Sequence, residues 1–265
     1  MSQGRPPAAS GRVLERELAY YENVYSTYGP RLFAQPGIVS FREYLARRIV
    51  RAAGIGAESR VLSIGCGIGD TELLLAPHTA HIAGVDLSPT AIAEARRVAD
   101  ARKIANIQFL AGAWQTSAFE EPFDAVVAIF FLHHLQDRDL AEFPRQLKRL
   151  LRPGGVFYAL DPSARRLSGF LGRLLVPKLM EKYQTDDERQ LLPRQTAAPF
   201  RAAGFETATH WFDFASTPLA GLFPGWAAGY RVTRVLDEAL TRIPLLNELS
   251  SNFELIARRP SLPPD

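Results

Sequence analysis

The residue pattern predicts a doubly wound α/β fold, with a mostly parallel sheet of seven strands and helices on both of its faces. Three observations carry this prediction. Short apolar runs alternate with segments of helical period through the middle of the chain, and a glycine-rich loop follows the first of these runs. In addition, 47% of the 265 residues are hydrophobic, which is enough for one sizeable core.

The elements follow one another from residue 12 onwards. Apolar and aromatic residues at helical spacing predict two helices between residues 12 and 53, and we expect residues 12–55 to form an N-terminal helical lid. The predicted strands cover residues 60–64, 81–85, 107–110, 123–130, 156–160, 205–214 and 252–257, and the predicted helices between them cover residues 70–75, 89–103, 138–151 and 192–203. This alternation indicates right-handed crossovers between parallel strands.

The remaining segments complete the expected organisation. We expect residues 1–11 to be a disordered tail and residues 12–265 to form a single domain. Residues 162–190 and 215–250 interrupt the alternation after the fifth and sixth strands, and their amphipathic patterns predict helical cap insertions. Because the first insertion also carries several Arg and Lys residues, peripheral contact with a membrane surface is the alternative to a cap over a pocket.

Composition excludes several classes of function. Cys66 is the only cysteine, so an internal disulfide and a multi-thiolate metal site are excluded, and we expect no metal. The formal charge of +3 and the lack of long basic runs argue against a nucleic-acid partner. The sequence has neither a membrane-spanning apolar run nor the apolar core of a signal peptide, so we expect a cytoplasmic protein.

The candidate ligand site begins at the glycine-rich loop. Residues 61–64 read as a strand that runs into Gly65-Cys66-Gly67-Ile68-Gly69 and then into a helix. Glycines allow the backbone to turn sharply and approach a ligand, and the helix start offers unpaired N–H groups. Asp86 ends the next strand about twenty residues later, where an acid can accept the hydroxyl hydrogens of a ribose. Together these features predict a nucleoside-bearing cofactor.

Five motifs in order resemble the class I S-adenosylmethionine-dependent methyltransferases. They comprise residues 61–69, 84–88, 123–135, 151–156 and 200–205. The resemblance implies methyl transfer from S-adenosyl-L-methionine by in-line displacement, with S-adenosyl-L-homocysteine as the product. The cofactor-binding residues that it implies are Tyr28, Gly65, Cys66, Gly67, Asp86, Leu87, Gly112, Ala113, Trp114 and Ile129.

Two positions depart from the family pattern. Ser63 stands where the family often has an acid that organises the methionine end of the cofactor, and Ala113 stands where an Asp often accepts from the adenine amine. We expect the Trp114 ring and the Ala113 backbone N–H to compensate at the adenine.

Candidate catalytic and acceptor-binding residues come from the turn after the fourth strand, the lid and the second insertion. His133 and His134 would lie near the methyl group, so either is a candidate general base or acceptor-orienting group. The alternative is that they are turn residues bonded to the backbone. The candidate substrate-pocket residues are Tyr21, Tyr25, Phe223 and Trp226. The lid tyrosines could instead only pack the lid onto the sheet.

The combined features predict methyl transfer to a small, largely apolar acceptor, such as a natural product, a lipid or a quinone-like molecule. Residues 129–132 lack the Asn/Asp-Pro-Pro-aromatic run of enzymes that methylate the exocyclic amines of bases. Carbon, oxygen and nitrogen acceptors remain open, as does the oligomeric state, with a homodimer as one option. The alternatives are a catalytically silent S-adenosylmethionine-binding protein, or a nicotinamide-dependent oxidoreductase, which the glycine spacing disfavours.

Overall fold

The computed structural model describes residues 8–27, 29–117, 119, 121–175 and 189–261. Within these residues a seven-stranded sheet has the order β3-β2-β1-β4-β5-β7-β6. The strands are β1 (Arg60–Ile64), β2 (His81–Asp86), β3 (Ile107–Ala111), β4 (Phe123–Ile129), β5 (Leu151–Pro162), β6 (Glu206–Asp213) and β7 (Asn252–Arg258). The first five strands are parallel, and β7 runs antiparallel to both β5 and β6. The predicted mostly parallel sheet is confirmed.

Helices cover both faces of this sheet. They are α1 (Ala8–Thr27), α2 (Gly29–Phe33), α3 (Pro36–Ala53), α4 (Glu72–Leu75), α5 (Pro89–Ala101), α6 (Asp137–Leu150), α7 (Leu167–Leu175), α8 (Pro193–Ala202), α9 (Ser216–Leu222) and α10 (Ala227–Leu240). On one face, Phe143 of α6 and Phe200 of α8 pack with Leu62 of β1. On the other face, Ile49 of α3 packs with Val61 of the same strand. The side chains of successive β1 residues therefore enter two different cores.

Local chemistry explains the elements nearest the site. Residues 61–64 of β1 are all buried, which is typical of a central parallel strand that has helices on both faces. Helix α5 begins where its preceding Ser88 accepts a hydrogen bond from the backbone N–H of Ala91, and Pro89 occupies its first position. These signals fix where β2 ends and where α5 begins.

The N-terminal region differs from the prediction in two respects. Helix α1 begins at Ala8, so residues 8–11 are helical and not part of a disordered tail; Ala8 and Ala9 have high helix propensity. Among the residues described before β1 there are three helices and not two, because α1 ends at Thr27 and the short α2 separates it from α3.

The two expected insertions contain helices in the described residues. Helix α7 lies in the first, whose residues 176–188 fall outside the described ranges. Helices α9 and α10 lie in the second. None of the helices in the described ranges combines the length and the apolar character needed to cross a bilayer.

Candidate cofactor and acceptor site

A cavity of about 1350 Å³ lies at the carboxyl ends of the parallel strands. Strand β1 has β2 on one side and β4 on the other, so the order of the strands reverses beside it. Open α/β sheets bind ligands in the crevice that such a reversal creates. The cavity is bordered by the glycine-rich loop, the turn after β4 and parts of α1, α3, α7 and α9.

The glycine-rich loop turns by means of backbone angles that favour glycine. Gly65 has φ +70° and Gly67 has φ +53°, both in the left-handed region. A Cβ atom on Gly67 would lie 2.7 Å from the hydroxyl oxygen of Tyr25 on α1. The left-handed turn therefore favours glycine at position 67, and a larger residue there would also have to displace the Tyr25 hydroxyl.

Asp86 joins the end of β2 to this loop. Its Oδ2 accepts a hydrogen bond from the backbone N–H of Gly67 at 2.8 Å, and its Oδ1 accepts one from the backbone N–H of Ser88 at 2.9 Å. Burial raises the pKa of Asp86, while these two hydrogen bonds oppose the rise. Each carboxylate oxygen has a further lone pair. Asp86 is thus held in one orientation and retains acceptor capacity for a ligand hydroxyl.

A second buried acid, Glu72, lies in the cavity wall. The hydroxyl of Ser63 on β1 donates a hydrogen bond to its Oε1 at 2.6 Å. Burial raises the pKa of Glu72 to about 7. Glu72 was not among the predicted site residues, although an acid in the first turn of the helix after a glycine-rich loop is a usable signal.

The structure brings most of the predicted cofactor residues together. The cavity wall includes Gly65, Cys66, Gly67, Asp86, Leu87, Gly112, Ala113, Trp114 and Ile129. Trp114 is 8% exposed and packs edge-on against Phe143, with 5.4 Å between the ring centroids, so it also belongs to the core. Burial raises the pKa of the Cys66 thiol. Tyr28 lies outside the described residues.

The turn after β4 places the predicted histidines at the cavity. Phe130 has φ +54°, an uncommon angle for an aromatic residue, and a short 3₁₀ helix, Leu132–His134, follows it. The Nδ1 atom of His133 lies 2.8 Å from Oδ1 of Asp161, and both side chains are buried. Asp161 was not among the predicted site residues either. Its signal was an acid directly after the fifth predicted strand, which pairs with β4.

His134 faces the N-terminal helices. Its Nε2 atom lies 3.2 Å from the hydroxyl of Tyr21 on α1, and its ring is 4.0 Å from that of His133 between centroids. Tyr21 and Tyr25 both line the cavity, with their ring centroids 6.0 Å apart. The structure thus brings two of the predicted substrate-pocket residues beside the histidines.

The other two predicted substrate-pocket residues lie elsewhere. Phe223 and Trp226 are each 56% exposed and are not among the residues that line the cavity. A Cβ atom on Gly229 would lie 2.1 Å from the Trp226 ring, so this ring packs on the first turn of α10. From α9, Leu219 and Leu222 line the cavity instead.

Helix α1 is attached to the start of α5. The carboxylate of Glu22 accepts hydrogen bonds from the hydroxyls of Ser88 and Thr90, and from the backbone N–H of Thr90 at 3.3 Å. This attachment holds Tyr21 and Tyr25 over the glycine-rich loop.

Comparison with known proteins agrees with this geometry. Residues 61–155 match the family described as "Methyltransferase domain". The chain is 31% identical over 164 residues to the ubiquinone biosynthesis O-methyltransferase of Aromatoleum aromaticum, covering 60% of this chain and 69% of that protein. It is 26% identical over 217 residues to the demethylmenaquinone methyltransferase of Geobacillus kaustophilus. This match covers 73% of this chain and 87% of that protein. The chain spans about half the length of two other curated relatives, 44% and 51%.

A solved structure shows the same fold. Magnesium protoporphyrin IX methyltransferase (ChlM) from Synechocystis PCC 6803, with bound SAH, aligns with a TM-score of 0.62 and 15% identity over 93% of this chain and 99% of that chain. The sequence relationship to the A. aromaticum protein extends over more than two thirds of that relative. Together with the motifs and the sheet order, it shows that this chain belongs to the class I S-adenosylmethionine-dependent methyltransferase family.

Proposed function

We propose that this protein transfers a methyl group from S-adenosylmethionine to a small, largely apolar acceptor, and that His133 removes the proton from the accepting atom. The observation that carries this proposal is the buried pair of His133 and Asp161, because His133 lies in the wall of the same cavity as the glycine-rich loop. Membership of the methyltransferase family supports the choice of reaction.

The residues around the loop suit the cofactor. Asp86 has acceptor capacity for ribose hydroxyls, and the left-handed Gly65 and Gly67 let the backbone approach a ligand. Leu87 and Trp114 offer apolar surface for the adenine. When bound, S-adenosylmethionine supplies an activated methyl group on a sulfonium, so the protein mainly aligns the acceptor and excludes water.

The cavity has room and surface for an apolar acceptor. Its volume of about 1350 Å³ exceeds the roughly 300–1,000 Å³ of a pocket for one drug-sized ligand. Apolar residues that line it are Leu18, Phe33, Ile38, Phe41, Leu167, Leu171, Leu219 and Leu222. Two relatives are named for ubiquinone biosynthesis and for demethylmenaquinone, which also favours a natural product, lipid or quinone-like acceptor.

Asp161 gives His133 the arrangement of a general base. A carboxylate beside Nδ1 favours the tautomer that carries its hydrogen there, which leaves Nε2 as the basic nitrogen. A positioned base of this kind accelerates proton transfer by roughly 10²- to 10⁴-fold. It is useful only when the acceptor must lose a proton, so we infer an acceptor with an acidic O–H, N–H or C–H group.

The test compares variants of this pair with a matched control. We expect His133→Gln and Asp161→Asn to lower kcat by roughly 10²- to 10⁴-fold, with the Kd for S-adenosylmethionine changed by less than about twofold. The matched control is His210→Gln on the exposed face of β6, which should leave both quantities unchanged. Undiminished turnover in His133→Gln would rule out the proposed base.

A further inference from the structure

Most of the exposed large apolar side chains lie in the two insertions. Among the described residues, thirteen of the fifteen such side chains belong to residues 162–190 or 215–250, and the other two are Val39 and Leu87. We call these thirteen side chains the cap surface. Soluble proteins rarely leave a large apolar area in water unless it contacts another protein or a membrane. The cap surface therefore calls for a partner.

The outer face of α10 is apolar, and its inner face is charged. Val232 and Val235 are 63% and 69% exposed, whereas Arg234 and Asp237 on the opposite side of the helix are buried. This arrangement reverses the usual pattern of a surface helix, which buries its apolar face and exposes its charged residues. The outer face of α10 is thus suited to an apolar partner.

The two insertions meet in one cap. The Arg165 side chain, just before α7, donates a hydrogen bond to the Glu248 carboxylate, and the hydroxyl oxygens of Ser168 and Ser251 lie 2.7 Å apart. Asp237 of α10 accepts hydrogen bonds from backbone N–H groups at the start of α9. Helices α7, α9 and α10 are therefore neighbours, and so are the apolar side chains that they expose.

The cap surface borders the opening of the cavity. Leu167 and Leu171 of α7 and Leu222 of α9 line the cavity, and they are 39%, 40% and 48% exposed. Side chains that both line a cavity and face solvent lie at its mouth. Phe170 and Leu174 of α7 are more exposed and do not line the cavity, so they lie outside the mouth. An apolar molecule would meet apolar side chains all the way from the cap surface into the cavity.

The charge and composition of the cap favour an anionic lipid surface as the partner. Residues 164–175 carry three arginines and no acidic residue, and anionic headgroups attract arginine. Exposed aromatic side chains such as Phe223 and Trp226 favour the boundary between lipid and water. A second copy of the chain would also cover the apolar side chains, but it would close the route into the cavity.

We propose that the cap surface lies against an anionic lipid bilayer, so that the mouth of the cavity opens towards the membrane. The inference rests on the proposed apolar acceptor, because such a molecule dissolves in a bilayer and would enter the cavity from there. Phe170, Leu174 and Trp226 insert at the level of the headgroups, and the arginines of residues 164–175 stay with the phosphates.

The test is co-sedimentation of the full chain with lipid vesicles. One set of vesicles contains phosphatidylcholine mixed with phosphatidylglycerol, and the other contains phosphatidylcholine alone. We expect wild type to bind the anionic vesicles roughly tenfold more tightly, and added salt should weaken this binding. Phe170→Gln combined with Leu174→Gln should weaken binding to the anionic vesicles roughly 10- to 100-fold, because two apolar side chains outside the mouth are lost.

The matched control also places two glutamines on an exposed helix face. Ala93→Gln combined with Ala101→Gln alters α5, which packs on β3 at the edge of the sheet farthest from β6. This control should bind vesicles as wild type does. Both double variants should bind S-adenosylhomocysteine within about twofold of wild type, which shows that the site is intact.

A second readout reports on the cap surface directly. Bromine atoms on lipid acyl chains quench tryptophan fluorescence at short range. We expect anionic vesicles of brominated lipid to quench wild type strongly and Trp226→Phe much less, although Trp114 and Trp211 remain in that variant. Equal quenching of both proteins would contradict the proposed orientation.

Several outcomes would overturn the inference. One is failure of wild type to bind anionic vesicles, and another is undiminished binding by the α7 double variant. A wild-type dimer that this variant converts to a monomer, without vesicle binding, would assign the cap surface to a second copy. Methyl transfer to an acceptor in solution tests the proposed function separately. Transfer without vesicle binding removes only the membrane contact, and vesicle binding without transfer removes only the enzyme.

Discussion

Asp86 and Glu72 are both acids beside the glycine-rich loop, but their surroundings differ. Two backbone N–H groups donate to Asp86, one to each oxygen, and hold it in place. Glu72 has only the Ser63 hydroxyl as a side-chain hydrogen-bond donor among the described residues. Burial raises the pKa of Glu72 to about 7, and the single hydrogen bond from Ser63 only partly opposes this rise.

Replacing Glu72 should change how the stability of the protein depends on pH. Its folded-state pKa of about 7 lies above the ordinary value of 4.5, so the folded state binds the proton more tightly. The stability contributed by this protonation is fully present below pH 4.5 and is lost as the pH rises through about 7. A glutamine side chain stays neutral at every pH, so we expect Glu72→Gln to exceed wild type in free energy of unfolding by ~3 kcal/mol at pH 8.

Urea unfolding of both proteins at pH 5 and pH 8 measures this effect. The difference between Glu72→Gln and wild type should be larger at pH 8 than at pH 5. A difference that does not change with pH would show that the Glu72 carboxyl titrates alike in the folded and unfolded chains.

Spacing along the chain predicted Asp86, but it did not predict which residues Asp161 and Glu72 contact. Asp86 follows a strand that comes directly after the loop strand, so its place depends only on local order. The contact between His133 and Asp161 depends on β4 and β5 being neighbours. The contact between Ser63 and Glu72 depends on the path that the glycine-rich loop takes between β1 and α4. Neither contact follows from the spacing of residues along the sequence.

Helix α1 is the element that covers the glycine-rich loop. Its Tyr25 hydroxyl lies against Gly67, and its Glu22 carboxylate is bonded to Ser88 and Thr90 at the start of α5. Burial acts to raise the pKa of Glu22, but these hydrogen bonds outweigh it and lower the pKa. The attachment is therefore strongest above the ordinary pKa of 4.5 and weakens as the pH falls through the lowered value.

Removing the Glu22 charge should loosen α1 without disturbing the sheet. We expect Glu22→Gln to accelerate backbone hydrogen exchange in residues 18–27 by roughly five- to tenfold, because a charge-assisted attachment is lost. Exchange in β1 and β4 should stay as in wild type. Glu58→Gln, which alters an exposed acid before β1, is the control. Unchanged exchange in α1 would mean that Glu22 does not hold this helix.

Elements of the sheet were predicted better than the helices outside it. The observed β1 has the predicted bounds, since a buried apolar run that ends in a glycine has clear limits. The orientation of the cap helices has no comparable signal in the sequence. Amphipathic spacing predicted that α10 would form, but whether Phe223 and Trp226 would face the cavity depended on how the insertion folds back. The exposed faces of the cap helices also carry apolar residues. Apolar character therefore does not show which face of a cap helix is buried.

The parallel arrangement of the first five strands explains why the site residues meet. Asp86 ends β2, His133 follows β4 and Asp161 lies near the end of β5, and all three lie at the same edge of the sheet because these strands point the same way. The insertions that contain α7 and α9 close the cavity with apolar side chains. The sheet thus supplies the polar groups, and the helices outside it supply the apolar surface.

Ligand binding at this edge should stabilise the molecule as a unit. At about 100 times its Kd, S-adenosylhomocysteine should add ~2.7 kcal/mol to the free energy of unfolding and raise Tm by roughly 5–10 °C. Asp86→Asn should reduce this shift in Tm. The carboxylate oxygen that accepts from the backbone N–H of Gly67 would be replaced by an amide N–H₂ group, which cannot accept that hydrogen bond. NADH should give no shift. A larger shift with NADH would favour the oxidoreductase alternative.

Transfer of an isotopically labelled methyl group decides whether the protein works as proposed. The wild-type protein is incubated with methyl-labelled S-adenosylmethionine and a panel of apolar acceptors with acidic O–H, N–H or C–H groups, and the products are analysed by mass spectrometry. We expect the label in an acceptor together with an equal amount of S-adenosylhomocysteine. Tight binding of S-adenosylmethionine without transfer to any acceptor would contradict the proposed enzyme and support a silent cofactor-binding protein.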